Sequence, residues 1–236
     1  EFLLADYDGY ERFARFKPVP LPGGDLAARE PWRMALAYLD EAFGPALPDI
    51  AVIRRVGRRR ADAVLKMVRG GVRSPLASSC GRLFDAASFL AGTAPERMEF
   101  EAEAAMRFEA AADKAFRGVY PVPISNPEPG RPMDVSFGPL IRALVRDIEK
   151  GTPISAVSAR FHDSLAGLVL RVAERARRAH GTDTVSLAGG VFLNRRLLER
   201  TEKRLDAKDF RVFRPVAYSP NGESLSLGQI ARGLAK

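Results

Sequence analysis

An α/β fold with a partly parallel sheet and a large helical region is predicted by three features of this 236-residue chain. Its last third alternates. An apolar β-type stretch, "TVSLAGG", is followed by a basic, leucine-bearing helical pattern, a second strand, "FRVFRPV", and a closing helical pattern. Strand–helix–strand order of this kind sets successive strands parallel, with the helix crossing between them. Much of residues 26–116 instead carries apolar residues at helical spacing. The first 20 residues alternate in strand fashion around Asp8-Gly9, a good hairpin-turn pair.

The elements follow in order. Strands are expected over "FLLADY" and "ERFARFKPV", and "LPGGD" (21–25) is a loop. "DLAAREPWRMALAYLDEAFG" is helix, its regular part starting at Pro31, because a first-turn N–H has no helical partner to lose. Gly44-Pro45 closes it. Residues 49–69 read as one helix stopped by Gly70-Gly71. "SPLASSCGRLFDAASFLAG" begins as a loop and becomes helix near Gly81, and residues 96–116 are rich in strong helix formers. The proline-rich segment 117–138 is a loop or an irregular strand pair. A helix over 139–151 precedes a longer one that is capped by Thr152, has Pro153 in its first turn and stops at Gly181. The strand 184–190, a helix from about Asn194 to Asp206, the strand 210–216, the loop "YSPNGE" and a helix over 224–235 complete the chain.

Composition narrows the function classes. Hydrophobic residues make up 46% and charged residues 28%, the balance of a globular protein able to bury a core. No apolar run approaches the roughly 20 residues that span a bilayer, so no membrane role is expected. The N-terminus is acidic and aromatic, unlike a secretory leader, and the absent initiator methionine predicts a piece of a longer polypeptide. One cysteine, Cys80, excludes an internal disulfide and a cysteine-based zinc site and suits a cytoplasmic setting. Cys80 reads as a small buried apolar residue, with a nucleophile as the other reading. The net charge of +8 favours polyanions such as nucleotides or RNA. The densest basic cluster, "RRVGRRR" (Arg54–Arg60), is either a solvated helix face or an RNA or partner contact.

Three stretches carry candidate chemistry. In open α/β sheets ligands bind at the carboxyl ends of strands, and Gly189-Gly190 stands at such an end. Without Cβ atoms the backbone there can approach a ligand closely, and the Asn194 amide can bond an adenine edge or a ribose. A tight strand-to-helix turn with Asn194 as its cap is the alternative. In "SSCGRLFDA", Gly81 and Asp85 share one helix face, either as a cradle for ribose hydroxyls or as capping chemistry beside a solvent-facing Asp. In "SPNGESLSLG", Asn221 and Glu223 either reach a ligand or metal or belong to a plain turn. His162 and His180 are eighteen residues apart, not a metal-ligand spacing; His162 reads as a core residue and His180 as a favourable helix-end charge.

Together "CGRLFDA", "SLAGGVFLNRRLLE" and "PNGESLSLGQ" resemble, in order and over nearly the whole chain, the carboxyl-terminal region of the hydrogenase-maturation carbamoyltransferase family, HypF. "EFLLADYDGYERFARFKPVPLPGGDLAAREPWR" is similar to further segments of that family. The fold is shared with the TsaD-type tRNA threonylcarbamoyl transferases and the antibiotic O-carbamoyltransferases. The resemblance therefore implies an actin/Hsp70-like ATPase (ribonuclease H-like) architecture: a C-terminal lobe with a large helical insertion and an incomplete N-terminal lobe. It implies remnant strands of the first lobe over 1–25, a helical region over 26–116, a proline-rich connection over 117–138 and an α/β lobe over 139–236. It implies carbamoyl phosphate and ATP as substrates of the parent enzyme. Carbamoyl-adenylate would be held by Gly81 and Asp85 on the ribose and by Gly189, Gly190 and Asn194 on the adenosine, with Asn221 near the reaction centre. The acceptor would be the C-terminal cysteine of the partner HypE.

The resemblance also implies a divalent metal (Zn, Fe or Mg) in the parent, with ligands mostly outside this chain. The family's loop carries an Asp ligand where this chain has Gly222, followed by Glu223 with its longer reach. The isolated chain is accordingly expected to be inactive. Two other readings stay open: the same fold acting on tRNA or a small-molecule hydroxyl, which "PLPGGD" and "REPW" disfavour, and a non-catalytic interaction module.

Overall fold

The computed structural model describes residues 1–234. The chain opens on the expected hairpin, β1 (Phe2–Ala5) antiparallel to β2 (Tyr10–Phe16). Asp6 forms its turn: the side-chain Oδ1 accepts the N–H groups of Asp8 and Gly9, each at 2.9 Å. A short strand, β3 (Val19–Pro20), leads to α1 (Asp25–Arg29) and α2 (Pro31–Phe43). Pro31 starts α2 and Gly44, at φ +70°, ends it.

The single helix expected over 49–69 is two, α3 (Ala51–Val56) and α4 (Arg58–Gly70). Gly57 divides them at φ +87°, ψ 129°, a conformation closed to other residues at low cost. Next come β4 (Leu76–Ala77), which pairs antiparallel with β3, and α5 (Cys80–Leu90). The helix expected over 96–116 contracts to α6 (Glu103–Ala110). Propensity loses there to specific bonds: Met98 N–H donates to the Arg29 carbonyl at 2.8 Å, and Glu99 N–H to Glu103 Oε2 at 2.7 Å. These hold the preceding segment in turns. The proline-rich stretch is the irregular strand pair, with an isolated Ile124–Val135 bridge and β5 (Met133–Val135).

Then follow α7 (Gly138–Glu149), α8 (Ile154–His180), β6 (Thr184–Ser186), α9 (Arg195–Asp206), β7 (Arg211–Phe213) and α10 (Leu225–Leu234). Strands β6 and β7 pair parallel, Val185 opposite Val212, as the strand–helix–strand order predicts. Ala235, expected at the end of the last helix, lies outside the described residues.

The chain divides into two compact units. The helical unit holds residues 16–125 and 134–161. Its centre is α2, packed against α4, α5 and α7. Met34, Leu36, Tyr38 and Leu39 from α2 are buried there, with Leu83, Phe84 and Phe89 from α5. Phe161 meets Phe84 edge-on at 5.0 Å. Each such side chain contributes about 1.5–3 kcal/mol on burial, which outweighs the weak propensity of the aromatic positions. The α/β unit holds residues 1–15, 126–133 and those from 162 onward. Its core is Ala173 of α8, Leu187, Leu205 of α9 and Phe210, with Val185 and Val212 packed on it.

Candidate functional site

In the α/β unit the chain turns sharply after Leu187. Gly189 takes φ +99°, and its N–H donates to the Pro220 carbonyl at 2.6 Å, tying the glycine turn to the "SPNGE" loop. Gly190 begins a short 3-10 turn to Leu193. A Cβ on Gly190 would meet Asn221 Cβ at 3.7 Å, ordinary contact. The structure therefore brings Gly189, Gly190 and Asn221 together and leaves both glycines exposed. Gly189 answers to conformation. Gly190 has no positive φ to satisfy, and a Cβ there would make only ordinary contact.

Asn194 caps α9, its Oδ1 accepting the Leu197 N–H at 2.8 Å. Its Nδ2 lies 3.0 Å from His162 Nε2, and both side chains are buried. The amide thus works inside the protein, fixing where the glycine turn meets the helix. His162 is the expected core residue, and His180 at the end of α8 packs edge-on against Phe13 at 5.6 Å. Beside His162, Asp163 is fully buried under a row of arginines from α9: Arg200 Nε at 2.9 Å, Arg204 Nη2 at 3.9 Å and Arg196 Nη2 at 4.0 Å. Sequence reasoning missed this cluster. Its signal was there, because arginines at 196, 200 and 204 form one helix ridge at a spacing of four.

In the helical unit Gly81 and Asp85 lie on α5. A Cβ on Gly81 would meet only Ser79 Oγ, at 3.6 Å. Asp85 is not solvent-facing: it is 1% exposed. Arg82 Nη1 stands 3.0 Å from its Oδ2, yet the angles are wrong for a hydrogen bond, and neither buried atom has a hydrogen-bond partner among the described residues. Burial pushes the Asp85 carboxyl up to about 6, against the opposing pull of the Arg82 charge. Some of Cys80 is exposed, but desolvation pushes its thiol up to about 12, so at neutral pH it is no thiolate nucleophile.

The "RRVGRRR" cluster is largely engaged within the helical unit. Arg55 donates to the Ala94 carbonyl at 3.1 Å and covers the Phe89 ring at 4.4 Å. Arg60 bonds Glu96 at 3.0 Å, and Arg60 and Arg33 both stack on Trp32, at 4.7 and 4.6 Å. Arg54 pairs with Asp49 at 3.1 Å and Arg58 with Asp62 at 3.5 Å.

As for a metal, no three His, Cys, Asp or Glu side chains converge on a common point among the described residues. At the loop, Glu223 is exposed and Gly222 contributes no side-chain ligand. No helix among the described residues is long and apolar enough to cross a membrane.

A family model described as "Carbamoyltransferase, Kae1-like Domain, second subdomain" matches residues 1–229. Carbamoyltransferase HypF of Rhodobacter capsulatus is 38% identical over 237 aligned residues, covering 100% of this chain and 30% of that protein. The HypF of Rhizobium leguminosarum bv. viciae is 34% identical, over 98% of this chain and 29% of its own length. The chain thus spans about 30% of these relatives. The crystal structure of full-length HypF in the phosphate- and nucleotide-bound form superposes with a TM-score of 0.88 at 29% identity, covering 100% of this chain and 30% of that one. The α/β architecture implied by the motif resemblance is borne out, and the chain belongs to the HypF carbamoyltransferase family, matching the second subdomain of its Kae1-like domain.

Proposed function

We propose that this chain supplies nucleotide-holding residues to a HypF-type carbamoyltransferase that uses carbamoyl phosphate and ATP. The observation that carries this reading is the similarity of this whole chain to about 30% of full-length HypF, whose structure is described as phosphate- and nucleotide-bound. In this reading carbamoyl-adenylate is the bound species. The exposed backbone at Gly189 and Gly190 takes the adenosine without a Cβ in the way. Asn194 contributes by fixing that turn, and Asn221 borders it. On α5, Asp85 accepts ribose hydroxyls, and Gly81 leaves its helix face open for close approach.

The carbamoyl group then passes to the C-terminal cysteine thiolate of HypE. The sulfur–carbon bond forms as the bond from the carbamoyl carbon to the phosphate oxygen breaks, and AMP leaves. The residues named here bind and orient the adenylate for that step.

Calorimetry of the full-length parent with a non-hydrolysable carbamoyl-adenylate analogue tests the site. Asp85→Ala and Gly190→Val should each weaken binding. Unchanged affinity in both variants would remove the assignment. The isolated chain is expected to transfer no carbamoyl group.

A further inference from the structure

We propose that Arg82 is a positioning residue for Asp85: its guanidinium keeps the buried carboxylate ionised and oriented, so that an oxygen with unused hydrogen-bonding capacity can accept the vicinal hydroxyls of a nucleoside. The nucleoside half of this statement rests on the reading above, and the Arg82–Asp85 half does not.

The geometry is unusual for an ion pair. Salt-bridged arginine and carboxylate normally align for one or two hydrogen bonds. Here Nη1 and Oδ2 approach to 3.0 Å, both atoms are buried, and neither completes a hydrogen bond among the described residues. Arg82 therefore supplies charge without occupying the carboxylate oxygen. An isolated buried carboxylate takes up a proton. A protonated Asp85 would turn one acceptor oxygen into a donor and lose the charge-assisted bond that a ribose hydroxyl makes to an anion.

The surrounding ionisable groups do not take over this task. Burial and the Arg82 charge are the two influences on Asp85 itself, and the charges felt by Tyr38 of α2 are those of Cys80, Glu41, Asp85 and Arg82. Burial raises the Tyr38 phenol far above its ordinary value and pushes the Cys80 thiol up to about 12, so both stay neutral over the working range. Glu41 is paired to Lys17 at 3.2 Å and carries the same sign of charge as Asp85. Arg82 is the one cation in this set. It is one helical turn from Asp85 on the same helix, so the pairing is local to α5 and does not depend on how other elements move.

The test has two arms. Carbon-detected NMR titration of the Asp85 carboxyl in the whole chain reads the charge directly. An opposite charge at this range is worth about two pH units, so the midpoint should rise by about that much in Arg82→Met and stay near the wild-type value in Arg82→Lys. Arg82→Gln, which keeps a polar head at this partly exposed position, reads the same shift if the Met variant does not fold. An unchanged midpoint in the neutral variant overturns the proposal.

The second arm is adenosine-nucleotide affinity of the full-length parent against pH. A two-unit rise leaves about a tenth of Asp85 ionised near pH 7. Arg82→Gln should therefore bind about tenfold more weakly there and recover by about pH 9, whereas Asp85→Ala stays weak throughout. If Asp85→Ala binds like wild type while the NMR midpoint moves, the ribose reading fails and the Arg82–Asp85 link stands. If Asp85→Ala loses affinity and Arg82→Gln shows neither loss nor recovery, the inference fails and the ribose reading stands.

Discussion

Asn194 Nδ2 lies 3.0 Å from His162 Nε2, while Asn194 Oδ1 accepts the Leu197 N–H at 2.8 Å. One buried amide thereby joins the start of α9 to a histidine of α8, directly after the exposed glycine turn. The amide orientation follows from the cap: Oδ1 faces a donor, so Nδ2 donates and His162 Nε2 accepts. Loss of an N-cap costs about 1 kcal/mol, and leaving a buried ring nitrogen without its donor costs about 1–3 kcal/mol more. Asn194→Ala should therefore lower the urea midpoint by the equivalent of about 2–3 kcal/mol. Asn194→Asp keeps the cap and should cost less. Equal loss in both variants would show that the cap contributes little.

The buried Asp163 makes a second, larger stability prediction. It is 0% exposed and faces guanidinium groups of Arg196, Arg200 and Arg204. Removing one side of a buried charge cluster leaves the other desolvated, at a cost of about 3–5 kcal/mol. Asp163→Ala should destabilise by that amount in urea denaturation, whereas Arg204→Ala, at the most exposed of the three arginines, should cost well under half as much. A loss below about 1 kcal/mol for Asp163→Ala would show that solvent reaches the cluster.

These clusters mark where the sequence is legible and where it is not. The strand–helix–strand order at 184–213, the Pro31 helix start and the Gly44 and Gly181 stops follow from local chemistry, and each stands in the structure. The break at Gly57 was hidden because a glycine inside an apolar helical period is usually tolerated. The contraction of the 96–116 helix depends on bonds to Arg29, nearly seventy residues away from Met98, that no window of sequence contains. Asp85 reads as solvent-facing from its residue type, because burying a carboxylate is costly; only tertiary packing shows that it is covered. The arginine run, by contrast, reads in one dimension as a solvated helix face or a partner contact. In three it clamps Trp32, Phe89 and Glu96.

Burial of Asp85 also sets a pH dependence of stability. Its carboxyl is pushed up to about 6 in the folded chain, while an unfolded Asp titrates near its ordinary value of about 4. Between those values the folded state holds a proton that the unfolded state lacks, so this group's contribution to stability falls as pH rises through about 4 to 6 and stays low above. The two-unit difference corresponds to at most about 3 kcal/mol, reduced in a neutral variant by the unpaired Arg82. Asp85→Asn should therefore be more stable than wild type by about 1–2 kcal/mol at neutral pH. The gap should close on acidification to about pH 4. A gap that persists unchanged at acid pH would assign the effect to packing instead of charge.

The glycines provide the sharpest separation of fold from function, because they differ in what the structure asks of them. Gly189 needs its φ of +99°, so Gly189→Ala strains the backbone and should destabilise by about 1 kcal/mol or more whatever binds there. Gly81 and Gly190 have no such need. Their added Cβ atoms would meet Ser79 Oγ at 3.6 Å and Asn221 Cβ at 3.7 Å, both ordinary contacts. Gly81→Ala lies within α5 and should stabilise that helix by up to about 1 kcal/mol. Gly190→Ala should leave the denaturation midpoint nearly unchanged. If both variants fold as wild type and both weaken nucleotide binding in the full-length parent, the missing Cβ atoms serve a ligand, since nothing in the chain itself requires them. If they fold and bind unchanged, these two glycines have no part in the nucleotide site, and only Gly189 retains a reason for its identity.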